Sequence, residues 1–382
     1  MPRQNNVNAL FVQKPHYELL DGLRGVAALL VIWYHFFEGF ATSAVDQKFN
    51  HGYLAVDFFF VLSGFVLGYA YDDRWKKGLT KGGFIIRRLI RLQPMVVIAV
   101  CFGIIAYIIQ GCEHWDHTKA PVWAIVMSFI LGLFMLPTLP GTEVDVRGNG
   151  EMFPLVGPAW SLFFEYLGSI LYASFLHRLS NNSLRWFVIF SGIGLSIVAL
   201  TDMSGGYSLG VGWSMAEWGF FGGFMRLGFS FGIGLLMSRN FKPLKIKGAF
   251  WISGFSIAFM MCLPYVTFNG QPSILNAIYD LFCTIVVFPL MVYVGASGTT
   301  TDRFSTGLCN FLGNISYPIY IIHYPAMYLF YAWVWNNGFT FGEVWPVTVI
   351  IFLCLIPLAY IILKCYDQPV RKYLTERFKK SL

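Results

Sequence analysis

A guanidinium and an imidazole, Arg24 and His35, sit eleven residues apart on one apolar stretch, LLDGLRGVAALLVIWYHFFEGF, residues 19–40. The first side chain holds anions through paired hydrogen bonds, and the second moves protons near neutral pH. Eleven residues make three helical turns plus about 20°, so Arg24 and His35 share a face and stand about 16 Å apart along the axis. The stretch is long enough to cross a bilayer, yet it also carries Asp21 and Glu38. Charges there are expensive unless they face a protein interior, a wet cavity or the headgroups. The pair is expected to belong to a site that reaches across the membrane. The plainer alternative has Arg24 snorkelling to lipid phosphates and His35 resting in an aromatic belt with Trp33 and Tyr34.

Other stretches offer partners. FIIRRLIRLQ, residues 84–93, holds Arg87, Arg88 and Arg91 at helical spacings that suit phosphates, whether of inner-leaflet lipid or of a phosphorylated cosubstrate. Asp57 lies inside the apolar run HGYLAVDFFFVLSGFVLGY at the depth expected for His35. It could orient that imidazole, cap a helix or pair with a base elsewhere. Glu165, four residues after Ser161, is an acid without an adjacent base and needs a tertiary partner such as Arg226 or His323. Tyr317, Tyr320 and His323 follow at three-residue steps in GNISYPIYIIHYP, where they could line a wet channel and hold an oxygen, or simply pack. CEHWDH at 112–117 places two histidines and a cysteine together, but a polar bend explains it more simply, and no metal is expected.

The elements that must hold these groups are apolar throughout. Of 382 residues 56% are hydrophobic and 12% charged, half the charge of an ordinary soluble domain, so the fold class is an all-α polytopic membrane protein. Eleven candidate segments run from residue 19 to residue 364. Residues 71–91 carry seven bases against two acids, 239–247 four bases, and 364–382 six bases against two acids, whereas 137–153 is acidic. Basic loops belong in the cytoplasm, which puts both termini there and demands an even number of crossings. We therefore expect ten transmembrane helices plus an irregular or re-entrant element between residues 84 and 153, with 84–93 lying along the inner surface until Pro94 turns the chain. An eleventh crossing is the alternative. The net charge of +7 is accounted for by these loops, and no nucleic-acid motif accompanies it. The seven scattered cysteines form no CxxC pair.

The ordered set of motifs resembles the membrane-bound acyltransferase-3 family. LDGLRGVAALLVIWYHFF carries the Arg and His at that family's spacing, GYLAVDFFFVLSGFVLG its second signature, and FIIRRLIRLQP its Arg-x-x-Arg. WSLFFEY, LGNISYPIYIIHYP and DQPVRKYL, with Pro369 and Arg371, match the later blocks in order. Tyr166 stands where relatives often have a second acid. The resemblance implies a transmembrane domain over 19–375 between a cytoplasmic segment (1–18) and a basic cytoplasmic tail (376–382), of the type without an added hydrolase-like domain.

It further implies an O-acyltransferase of a plasma or bacterial inner membrane. Such an enzyme moves an acyl group, most often acetyl, from cytosolic acyl-CoA to a hydroxyl of an exported carbohydrate or lipid-linked glycan. Arg24, Arg88 and Arg91 would hold the CoA phosphates, and His35 would be the general base, supported by Asp57 or Glu165. Tyr317, Tyr320 and His323 would contact the acceptor or support the oxyanion. Direct transfer and an acyl-histidine intermediate remain alternatives. The rival reading is a transporter or channel whose route is lined by the buried charges. The enzyme reading expects the basic mouth and the imidazole to open into one tunnel.

Overall fold

The computed structural model describes residues 16–379 apart from 44 and 301. Most of the expected segment 1–18 and the last residues of the 376–382 tail therefore lie outside the described residues. The rest is helical: α1 (Glu18–Glu38), α2 (Ala55–Lys76), α3 (Lys81–Gln110), α4 (Val122–Leu133), α5 (Ala159–Ser174), α6 (Asn181–Leu200), α7 (Gly219–Asn240), α8 (Ala249–Cys262), α9 (Ile274–Phe282), α10 (Phe288–Ser297), α11 (Arg303–Asn337), α12 (Phe341–Ile362) and α13 (Gln368–Arg377). A two-stranded hairpin, Thr267–Phe268 against Gln271–Pro272, is the one sheet among the described residues. Among the described residues, seven helical segments are long and apolar enough to cross a membrane, and α4 and α8 are shorter apolar helices. The protein is a polytopic all-α membrane protein with close to ten crossings.

The expected irregular element falls where the charge count demanded it, but its construction differs. Residues 84–93 do not lie along the surface before a turn at Pro94. They form the first part of α3, a single 30-residue helix that runs through Pro94. A proline inside a membrane helix frees one carbonyl, which neighbouring groups can satisfy. The irregularity comes afterwards. The twelve residues of α4 span about 18 Å, short of the roughly 30 Å hydrocarbon core, and a long loop joins them to α5.

Glycine sets the two central contacts. α1 packs on α11, and α2 on α7, more extensively than any other pairs. A Cβ at Gly22 would meet Cys309 at 2.9 Å, one at Gly25 would fall against the Leu312 carbonyl, and one at Gly313 would meet Asp21 at 2.6 Å. Gly64 and Gly234 play the same part between α2 and α7. Such small-residue seams let helix backbones approach where no hydrophobic force favours one apolar partner over another. α1 and α11 run parallel, since Gly22 meets Cys309 at one end and Trp335 bonds the Gly39 carbonyl at the other.

The charge segregation read from the sequence is visible in space. Arg239 at the end of α7 pairs with Asp72 at the end of α2 (2.7 Å), and α13 packs against α3, so the three basic segments share one face. The acidic 137–153 stretch sits on the opposite face. There Glu151 accepts a hydrogen bond from Tyr328, five residues beyond His323 on α11.

Candidate active site

A cavity of about 1460 Å³ opens on the basic face. Its lining follows α2 from Lys77, just past the end of that helix, to Val56, a rise of about 31 Å. Arg24, Arg88, Arg91 and Arg371 all line it, with Asp21, Glu165 and Asp367 among them. Arg91 is exposed to the cavity and makes no ion pair among the described residues. Arg371 holds Asp367 (3.1 Å), which sits in a π-helical turn, Leu363–Asp367, a local distortion frequent at functional sites. The closing DQPVRKYL motif thus delivers one more cation to the same mouth.

The two arginines assigned with Arg91 are more constrained. Arg24 donates from Nε to Ser316 Oγ (2.8 Å) and from Nη2 to the Gly313 carbonyl (3.3 Å), and it pairs with Asp21 (3.0 Å). Its place against α11 follows from the glycine seam, which brings Gly313 and Ser316 within reach. Arg88 donates to Ser169 (3.1 Å) and to Glu165 (2.5 Å). Glu165, which also accepts from Ser63 (3.3 Å), therefore finds its partner in Arg88, not in Arg226 or His323, and stands on the cavity wall, which His35 does not line. Tyr317 donates to the Leu92 carbonyl (2.6 Å), joining α11 to α3.

Asp57 and Arg226 find each other. Arg226 donates to both carboxylate oxygens (3.2 and 2.7 Å), to the carbonyls of Val211 (2.7 Å) and Tyr53 (2.9 Å), and lies 5.2 Å from the Trp160 ring. Both residues are fully buried. Asp57 lies one helical turn past Gly52, which packs on Tyr34, but its oxygens are turned to the guanidinium. The partner of His35 is another acid. His35 Nδ1 lies 2.6 Å from Glu38 Oε2, so the imidazole donates from Nδ1 and keeps Nε2 as the accepting nitrogen. Tyr331 donates to the His35 carbonyl (2.6 Å) and to Glu38 (3.2 Å). Glu38 was legible as a charge on the same helix, three residues from His35; the sequence reading assigned it no part.

His323 stacks on His35 at 5.4 Å between ring centroids. Its Nδ1 lies against the carbonyls of Ile319 (3.2 Å) and Tyr320 (2.8 Å) and so carries the proton. Nε2 is buried without a hydrogen-bond partner among the described residues. The neutral ring thus offers a lone pair, whereas oxyanion support asks for a donor. Tyr320 bonds Ser161 (2.7 Å), and its ring meets Phe59 at 5.3 Å and His323 at 6.1 Å. Tyr320, Ser161 and Phe59 line the cavity; His323 and His35 do not. The single tunnel expected from the sequence is therefore interrupted. The basic cavity ends at the Tyr320 wall, and the histidine pair lies behind it. CEHWDH forms a polar bend in which His117 and Lys119 both reach Glu113.

The family model and the staphylococcal relatives point to one class. Residues 17–364 match the family described as an acyltransferase domain. The protein named Protein 2 in picA locus, of Rhizobium radiobacter, is 36% identical over 162 residues, which cover 41% of this chain and 80% of that protein. O-acetyltransferase OatA of Staphylococcus aureus (strain NCTC 8325 / PS 47) is 25% identical over 375 residues, 92% of this chain and 57% of that protein. The chain thus spans little more than half the length of the staphylococcal relatives it matches. No solved structure matches it.

Proposed function

The chain belongs to the acyltransferase family that it matches over residues 17–364, and on that premise we propose that it moves an acetyl group from cytosolic acetyl-CoA to a hydroxyl of a carbohydrate or lipid-linked glycan. The observation that carries this reading is the long cavity with arginines at its mouth and a histidine pair behind its inner wall. An adenosine nucleotide with a pantetheine arm is an anion at one end and a thin apolar thread at the other. Arg91 and Arg371, with Arg24 beside them, suit the phosphates. The stretch of α2 from Tyr71 to Val56 suits the arm. The basic face is then cytoplasmic, and the acceptor reaches His35 from the opposite side.

The chemistry needs one base and no redox partner. Nε2 of His35 takes the proton of the acceptor hydroxyl as its oxygen attacks the thioester carbonyl carbon. The carbon–sulfur bond breaks, and the departing sulfur takes the proton from the imidazolium to leave as the CoA thiol. For the thioester to arrive, Tyr320 must swing off Ser161. The transporter alternative loses two of its lining charges, because Asp57 and Arg226 are buried against each other.

Purified protein given labelled acetyl-CoA and a panel of glycan and lipid-linked acceptors tests the reading. Label transfer that is lost in His35→Ala, with acetyl-CoA binding retained, is the expected result. Absence of acetyl-CoA binding, or transfer unchanged in His35→Ala, overturns it.

A further inference from the structure

We propose that Glu38 is the positioning residue of the reaction, the carboxylate that fixes the tautomer and aim of His35, with Tyr331 clamping the two together. The proposal rests on His35 being the base and deepens that reading. It moves the orienting role away from Asp57, whose oxygens are committed to Arg226.

Three donors converge on one oxygen. Glu38 Oε2 is 2.6 Å from His35 Nδ1, 3.2 Å from the Tyr331 hydroxyl and 3.5 Å from the Tyr324 hydroxyl. The Tyr331 hydroxyl also lies 2.6 Å from the His35 carbonyl, so a single group from α11 holds both the backbone of the base and its carboxylate. Tyr324 meets the His35 ring edge-on at 4.7 Å and His323 stacks on it. The imidazole is thus fixed by a hydrogen bond at Nδ1 and by rings around it. Nε2 is the nitrogen left to accept a proton.

Local helix energetics argue that the acid is there for a reason beyond α1. Glu38 is the last residue of the helix, where the carbonyl end of the macrodipole disfavours negative charge. An ordinary helix end would carry a cation at this position. The carboxylate is also part-exposed, at 39% for its side chain, while the imidazole it holds is 16% exposed. The pair therefore sits at the rim of the side opposite the cavity, where an acceptor hydroxyl can approach. In the transfer step Glu38 forms and breaks no bond. It keeps the proton on Nδ1 and faces the imidazolium while Nε2 carries the acceptor's proton to the leaving sulfur.

The experiment measures kcat, acetyl-CoA affinity and thermal stability for Glu38→Ala, Glu38→Gln, Glu38→Asp, His35→Ala and the His35→Ala/Glu38→Ala double variant. Glu38→Ala is expected to lower kcat at least about tenfold, within the roughly 10²–10⁴-fold that a positioned base supplies, with acetyl-CoA affinity unchanged. Glu38→Asp should recover part of the loss, and added formate should recover part of it in Glu38→Ala. In the His35→Ala background, removing Glu38 should cost nothing more, because the two act as one unit. Wild-type kcat in Glu38→Ala, or a loss that simply multiplies onto that of His35→Ala, overturns the proposal. If His35→Ala itself keeps full activity, the base assignment fails first. An inactive His35→Ala beside a fully active Glu38→Ala sinks the role of Glu38 alone.

Discussion

Arg226 donates two hydrogen bonds to Asp57, at 3.2 and 2.7 Å, in a place that water does not reach. The pair ties α2 to α7, and the Val211 carbonyl brings the loop before α7 into the same knot. Removing one partner strands a buried charge, which typically costs about 3–5 kcal/mol. Asp57→Ala is therefore expected to lower the melting temperature sharply, and Asp57→Leu with Arg226→Met to restore much of it. Intact stability with a selective loss of kcat in Asp57→Ala would place this acid in the chemistry instead.

Arg91 and Arg88 are neighbours on one helix but differ in commitment. Arg91 faces the cavity, whereas Arg88 is buried and bound to Glu165 and Ser169. A hydrogen bond to a charged group contributes roughly 1.5–3 kcal/mol, so Arg91→Ala should weaken acetyl-CoA binding by about ten- to a hundredfold without changing stability. Arg88→Ala should lower stability as well, since it leaves Glu165 without its guanidinium. Binding titrations and melting curves on both variants separate the two effects.

The Ser161–Tyr320 hydrogen bond, 2.7 Å long, holds the inner wall of the cavity. Ser161→Ala should loosen the Tyr320 ring and let the thioester meet the histidines more often, and water with it. The expected signature is a several-fold rise in acetyl-CoA hydrolysis without acceptor, read by release of free thiol. An unchanged hydrolysis rate would remove the wall's gating role.

Glu151, in the loop between α4 and α5, is buried, and desolvation pushes its carboxyl up to about 7 despite the Tyr328 and Asn149 hydrogen bonds and the nearby Arg147. Its folded value exceeds that of an ordinary glutamate, so the folded state binds the extra proton. The stabilisation is complete below about pH 4.5, falls as pH rises, and is gone above about 7. Docking of residues 137–153 on Tyr328 should therefore loosen across that window. Hydrogen exchange of this loop at pH 5 and pH 8 checks it, and Glu151→Gln should remove the difference.

The sequence made the helices and their sidedness readable, because apolar length and basic loops report directly on the bilayer. Of the nine site residues named from motifs, all but the exposed Arg91 are buried or half-buried, and their pairings follow from tertiary packing. Nothing in the spacing of Asp57 says that its partner is Arg226, 169 residues away, or that Glu165 belongs to Arg88. Glu38 was within reach, three residues from His35, but it was noted only as one more charge on the same stretch. Pro94 misled for a physical reason: it breaks a helix in water, whereas a buried membrane helix accommodates it. Arg147, counted only as a loop charge, proves to be buried against the ring of Tyr328 at 3.4 Å.

A membrane that stores a voltage behaves as a capacitor, and any unbroken thread of water across it is a leak. The arginine-lined basin runs some 30 Å into the bundle along α2 and ends at the Tyr320 wall. The aromatic stopper of Phe59 and Tyr320, latched by Ser161, is where that electrical resistance must reside. Under the proposed function, the membrane stays sealed at this protein only while that stopper is seated.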